Sequence, residues 1–442
     1  MAKKNKREDE PEVTAEEVAQ ETDVAKLSKL LIKTFNKDEE KTGKIAWNLA
    51  TDFDNPTDVK EFISTGNTLL DYDIANRKNG GAPVGKLTEI NGEEASGKSL
   101  LCAHLAKEAQ KKGGIVAYID VENAMNPEFM EAIGVDLKRL IYLQPGTVEE
   151  VQEAILKMIL MTRQKAPTQL VLIIWDSIAG TPTKCEIEGT AELNMNEQLE
   201  KSKVLSKMMR QITQVLGKER ICLVFTNQLK VKIGNMYGDP MTTPGGKAVP
   251  YHASVRIRLT RRGTEKDDSD TVTGVNTTAK VIKNRLGPPM RACHFFISFD
   301  HGIEDESSWF EMLHEKGSIT KNNGWCTIPD FQKVLSGMYA VDAGELQLAR
   351  EKEKDSDKQK ELNKKIKEAL QLAEISIPDG DKQKGWQFRE SQWLSTLDST
   401  RGLRDWLVNV EIDRLMVRKY GGTPNPESLM EVEQATADLL NE

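Results

Sequence analysis

An α/β architecture built on a mostly parallel, twisted sheet follows from three features of this 442-residue sequence. The apolar runs "VLIIW" and "CLVF" are nearly unbroken, as in strands buried on both faces of a parallel sheet. From Glu61 to about Glu304, short β-rich runs alternate with longer amphipathic stretches, the pattern of strand–helix–strand units with right-handed crossovers. Within that region "KLTEINGEEASGKSLLCAHLAKEAQKKGG" reads as strand, glycine loop and helix in succession.

The first ~25 residues are charged and poor in apolar side chains, which predicts disorder. "VAKLSKLLIKTFNK" then sets Val24, Leu27, Leu30, Leu31 and Phe35 near helical spacing, an amphipathic helix whose stripe packs on its own domain or on a neighbouring subunit. "KLTEI" is the strand before the glycine loop, and "SLLCAHLAKEAQKKGG" the helix after it, closed by Gly113. "GIVAYID" is a strand, a helix starts at Pro127, "QLVLIIWD" is a strand, and a helix runs from about Glu197 to Leu216. "RICLVFTNQ" adds a further strand. "RIRLTRR", "TAKVIKN" and "CHFFISF" follow with little helix between them, which predicts an antiparallel extension of the sheet. Beyond Glu304 the charged "ELQLAREKEKDSDKQKELNKKIKEALQLAEI" predicts a solvated helix or helix pair. Trp386, Trp393 and Trp406 are expected to anchor a small helical core ahead of an acidic tail. The organisation is therefore 1–60, 61–304 and an α-rich 305–442.

Composition excludes several classes. A net charge of −8 means that any nucleic-acid surface must be a local basic patch. Five scattered cysteines without a CxxC pair read as reduced thiols, and with five histidines they offer no structural zinc set. No apolar run reaches membrane-spanning length and "MAKKNKREDEPEV" lacks a signal peptide's apolar segment, so a soluble cytoplasmic protein without membrane partners is expected.

Chemistry concentrates in the glycine loop, GxxxxGKS from Gly92 to Ser99. Successive backbone N–H groups at a helix N-terminus converge there on phosphate, aided by the helix dipole. Gly92, Glu93, Glu94, Ala95, Ser96, Gly97, Lys98, Ser99 and Leu100 are the candidate nucleotide-binding residues, with Lys98 for the β- and γ-phosphates and the Ser99 hydroxyl for Mg²⁺. The two glutamates fit if their side chains point outward. Asp176, ending an apolar strand, suits a Mg²⁺-directed carboxylate, or simply ends that strand. Asp120 and Glu122 share a face of an extended segment, and either one suits activation of water or capping of the next turn. "LKVKIGNMYGDPMTTPGGKAVPYHA" is a long loop carrying Lys230, Lys232 and Lys247 for phosphate, and Gly234, Gly238, Gly245 and Gly246 for close backbone approach. Lys283 and Arg285 place two cations on alternate residues.

These strings together resemble the RecA recombinases, bacterial type. "ISTGNTLLD", "GEEASGKS", "YIDVENAMNP", "WDSIAGTPTKCEIEG", "FTNQLKVKIGNMYGDPMTTPGGKAV" and "KVIKNRLGPP" occur in the family's order over roughly Glu61 to Thr327. The resemblance implies a RecA-type P-loop ATPase core with an N-terminal polymerisation helix and a C-terminal α-rich domain. It puts the water-activating glutamate on Glu122, the adenine-stacking ring on Phe129 and the γ-phosphate sensor on Gln228. It makes Lys283 and Arg285 the pair that reaches a neighbouring subunit's γ-phosphate. It assigns Glu188 and Gly189 to a first DNA-binding loop, and Lys230, Lys232, Ile233, Met236, Gly245, Gly246 and Lys247 to a second. Glu93 stands where bacterial relatives usually have proline, and Pro250 beside Tyr251 is a further departure.

The implied activity is a Mg²⁺-dependent, DNA-dependent ATPase. It forms helical filaments on single-stranded DNA and pairs that strand with homologous double-stranded DNA, with loader or single-strand-binding proteins as further partners. Its setting would be the cytoplasm of a bacterium or of a cell infected by a bacteriophage. A hexameric helicase with the same core is the alternative enzyme, opposed by "ISTG", "EIEG" and the long glycine loop. A nucleotide-binding scaffold without turnover is opposed by Lys98, Ser99, Glu122, Asp176 and Gln228.

Overall fold

The computed structural model describes residues 26–37, 44–49, 59–188, 195–217, 219–231, 241–267, 269–328, 346–347, 350, 356–374, 386–399 and 403–418. The expected disordered start, Val24, the acidic tail, and Gly189, Lys232, Ile233, Gly234, Met236 and Gly238 lie outside them. The chain divides into two units, Met1–Lys60 and Glu61–Glu442. In the first, a helix covers 26–35 with Leu27, Leu30, Leu31 and Phe35 all exposed. Asn36 ties the following segment to its end, accepting from the Ile45 and Ala46 N–H groups at 3.0 Å.

The second unit is organised by nine strands: β1 (Leu87–Gly92), β2 (Ile115–Asp120), β3 (Leu140–Leu143), β4 (Val171–Asp176), β5 (Ile221–Gln228), β6 (Val255–Lys266), β7 (Val272–Asn284), β8 (Ala292–Ser298) and β9 (Gly302–Glu304). Their spatial order is β9-β8-β7-β6-β1-β5-β4-β2-β3. Neighbours from β6 through β3 run parallel, while β6, β7, β8 and β9 pair antiparallel, as the helix-poor sequence after Arg256 predicts. Helices α1 (Thr68–Ala75), α2 (Lys98–Lys111), α3 (Pro127–Ile133), α4 (Val148–Lys165), α5 (Lys184–Glu188), α6 (Met195–Leu216), α7 (Ala248–His252) and α8 (Asp305–Glu315) accompany the sheet.

Alternation along each parallel strand sends neighbours to opposite faces. Leu172 and Ile174 of β4 join a cluster with Leu101 and Leu105 of α2, whereas Ile173 and Trp175 join Ile155 of α4 and Leu205 and Met209 of α6. Each fully buried aliphatic or aromatic side chain stabilises by roughly 1.5–3 kcal/mol, which is why the run is apolar at every position. Polar strand ends then emerge together at the carboxyl edge of the sheet, where open α/β sheets bind ligands.

Among its described residues the C-terminal part is mainly helical, including α9 (Ser356–Glu374), as the charge-dense stretch predicts. Trp393 is buried, stacks on Phe388 with centroids at 5.7 Å and meets Phe310 at a tilt with centroids at 5.5 Å. Trp386, however, belongs to a strand rather than a helix. Trp386–Arg389 pairs with Trp325–Ile328, which pairs with Thr320–Asn322, giving a three-stranded antiparallel sheet. Asn323 and Gly324 both have positive φ (49° and 78°) in its two-residue hairpin turn, a conformation suited to Asn-Gly. The last described segment is clamped onto α1. The Tyr72 hydroxyl donates to Asp413 Oδ1 at 3.0 Å and to the Val408 carbonyl at 3.2 Å. Asn76 exchanges two hydrogen bonds with the Arg418 backbone. Arg291, paired with buried Asp73 at 2.8 Å, donates to the Met416 carbonyl.

Candidate active site

The glycine loop leaves β1 and enters α2 through two left-handed residues, Ala95 (φ 54°) and Gly97 (φ 93°). A side chain at Gly97 would meet Ile297, so glycine serves both the turn and its packing. Ser96 Oγ donates to the Glu93 carbonyl at 2.8 Å. Lys98 Nζ donates to the Glu93 and Gly92 carbonyls at 2.7 and 3.3 Å, lying along the loop it would share with phosphate. Glu93 and Glu94 are exposed, whereas Leu100 packs toward the core. Burial lowers the Lys98 pKa, and the carboxylates of Asp176, Glu122 and Glu94 oppose that shift, so these charges share one site.

Asp176 ends β4 beside the loop. Its Oδ2 accepts from Ser99 Oγ at 2.6 Å and from the Tyr118 hydroxyl at 2.8 Å, and its Oδ1 accepts from Thr226 Oγ1. A hydroxyl against a carboxylate is a hard oxygen donor set of the kind Mg²⁺ takes alongside phosphate and water. Among the described residues no group of three or more His, Cys, Asp or Glu could hold a metal by itself. Ser99 and Asp176 therefore fit a nucleotide-borne Mg²⁺ rather than an all-protein cage.

The two carboxylates after β2 differ in surroundings. Asp120 accepts from the N–H groups of Glu122 and Met125 at 3.2 and 3.0 Å and from the Tyr142 hydroxyl at 3.1 Å. It organises the turn. Glu122 is exposed and accepts from Ser177 Oγ. A Cβ at Gly180 would come within 2.7 Å of Glu122 Oε1, so glycine there leaves the carboxylate its space. Phe129 sits in the first turn of α3, half-buried, its N–H donating to Asn126 Oδ1.

Gln228 is exposed at the end of β5, in register with Gly92, and the Leu229 N–H donates to the Gly92 carbonyl. Lys230 then pairs with Thr242 and Val231 with Met241, forming a two-stranded stem for the long loop. A buried network that the sequence reading did not single out underlies this stem. Glu89 of β1, fully buried, forms an ion pair with Arg256 and accepts from Asn227 Nδ2 at 3.1 Å. Asn227 Nδ2 also donates to the Pro244 carbonyl at 3.1 Å, and Arg256 reaches Thr243. The signal in sequence was a glutamate at the middle of the buried strand LTEING. Gly245 (φ 95°) and Gly246 (φ 69°) lie against α6, where a Cβ would approach Leu205 and Ser202 within 3 Å. Lys247 caps α7 and is exposed.

Glu188 is exposed at the end of α5. From the same helix, Glu186 pairs with Lys201 of α6 at 3.8 Å. Burial lowers the Lys201 pKa, Glu186 raises it and Lys230 lowers it further. Lys283 and Arg285 are bonded to the carbonyls of the α7 segment. Lys283 Nζ donates to the Pro250 and Tyr251 carbonyls at 2.7 and 2.9 Å, and Arg285 to Tyr251 at 2.9 Å. Burial, then Arg285 and Arg256, lower the Lys283 pKa to about 8. A separate cleft of about 370 Å³ between β6–β8 and α8 shares no lining residue with the glycine loop or the carboxyl ends of β1, β4 and β5.

A strand, a glycine loop and a helix, with a carboxylate on a nearby parallel strand aimed at the loop's serine, define a P-loop nucleotide-binding protein. The chain matches the RecA N-terminal domain over residues 29–304. It is 36% identical over 278 residues to Protein RecA of Paracoccus denitrificans, covering 63% of this chain and 74% of that protein. Protein RecA of Streptomyces avermitilis is 37% identical over 318 residues, 72% and 79% of the two chains. That of Ruminococcus albus is 33% identical over 347 residues, 74% and 83%. The chain belongs to the RecA family.

Proposed function

We propose that this chain is an ATP-dependent homologous recombinase, a Mg²⁺-dependent ATPase stimulated by single-stranded DNA, working in the cytoplasm as a helical filament. The observation that carries the reading is one edge of one sheet. Lys98, Ser99, Asp176 and Glu122 gather there, and Gln228 leads from it directly into the stem of the long basic loop.

Bound Mg²⁺ would supply charge neutralisation between the phosphates, held through Ser99 and Asp176. Lys98 exchanges its carbonyl partners for phosphate oxygens. Glu122, tethered by Ser177, orients and deprotonates the attacking water. Gln228 senses the γ-phosphate and biases the loop stem, so ATP favours the DNA-binding state and hydrolysis releases it. Lys283 and Arg285 act across a subunit boundary, which makes turnover depend on assembly. DNA is gripped through its backbone, and base pairing between strands supplies the sequence information.

Electron microscopy with single-stranded DNA, Mg²⁺ and a slowly hydrolysed ATP analogue tests this. Continuous helical filaments that need nucleotide are expected, together with DNA-stimulated ATP hydrolysis. Closed rings would replace the reading with a helicase.

A further inference from the structure

Three hydroxyls converge on the Asp176 carboxylate, and they differ in freedom. Ser99 is exposed in the first turn of α2 and is the one the nucleotide reading assigns to the metal. Thr226 on β5 and Tyr118 on β2 belong to strands flanking β4, so the sheet fixes them. Tyr118 is only 2% exposed, its ring packed in the core cluster that also holds Leu101 and Ile174. Its hydroxyl donates to Asp176 Oδ2 at 2.8 Å. When Ser99 turns from Asp176 toward a metal, Tyr118 still holds Oδ2 and Thr226 still holds Oδ1.

We propose that Tyr118 is a positioning residue for the Mg²⁺ site, its buried phenol fixing the orientation of the Asp176 carboxylate from the side opposite Thr226. The proposal rests on the nucleotide reading above. A carboxylate free to rotate about its terminal torsion offers the ion a badly aimed oxygen, and partners that orient ligands in this way typically govern metal affinity by 10–100-fold.

The test is a Mg²⁺ titration of the full chain with a fluorescent ADP, comparing the unmodified protein with Tyr118→Phe, which deletes one oxygen from an apolar setting. The expected result is a Mg²⁺ midpoint raised about tenfold, with ADP affinity at saturating Mg²⁺ within about twofold and the thermal midpoint without nucleotide nearly unchanged. Thr226→Val, which removes the opposite donor, is expected to shift the midpoint in the same direction and stands in if Tyr118→Phe does not fold. An unchanged Mg²⁺ midpoint overturns the proposal. So does a loss of thermal stability and ADP affinity together at constant midpoint, because that is a purely structural role. Absence of Mg²⁺-dependent ADP binding in the unmodified chain would remove the nucleotide reading itself, and this proposal with it.

Discussion

Asp120 is buried at the end of β2 and Glu122 is exposed in the bend that follows, and their hydrogen bonds separate them further. Asp120 collects four donors, three N–H groups of the turn and the Tyr142 hydroxyl, so Asp120→Ala is expected to cost about 1–3 kcal/mol in urea unfolding by leaving donors unpaired. Glu122→Gln should instead fold and bind ADP normally while losing roughly 10²-fold or more in ATP turnover, measured by phosphate release. Gln228→Ala is expected to keep nucleotide affinity while making single-stranded DNA affinity independent of ATP. Equal ATP-induced tightening in mutant and parent would refute that coupling. That two carboxylates cluster at the end of β2 was legible in sequence. The choice between them was not, because it depends on Tyr142, Ser177 and Gly180, which arrive from other segments.

Among the elements, β1 and the loop stem are joined by a charge that the core would otherwise exclude. Glu89 is fully buried, and Arg256 supplies the cation that pairs with it. Arg256→Met leaves that carboxylate buried without its cation and is expected to lower stability by about 3–5 kcal/mol in chemical denaturation. The parallel strands were readable because burial on both faces makes them continuously apolar. The three-stranded sheet of the C-terminal part was not, since Trp386–Arg389 finds its partner at Trp325–Ile328 across a long charged stretch. The Asn323-Gly324 pair was a local signal for its first hairpin, and the tryptophans drew attention to helices instead.

Taken as one molecule, the second unit stores proton-dependent stability around α1. Burial raises the carboxyl pKa of Asp71 to about 7, and of Asp73 and Asp305 to about 6. The folded chain therefore holds more protons on these groups than the unfolded chain, and their contribution is lost as pH rises through 6 to 7. His104 runs the other way: burial lowers its pKa to about 4, and its contribution is lost as pH falls from the ordinary 6.5 toward 4. Summed, unfolding should cost about 1 kcal/mol more near pH 6 than near pH 7.5, measured by urea titration at constant ionic strength. The clamp on α1 also has a consequence in time. Tyr72 and Asn76 meet partners 341 and 342 residues further along the chain. At roughly 5–20 residues per second, a ribosome delivers those partners about 20–70 s after α1 itself has emerged. Throughout that interval α1 lacks the segment that bonds to its Tyr72 and Asn76 side chains.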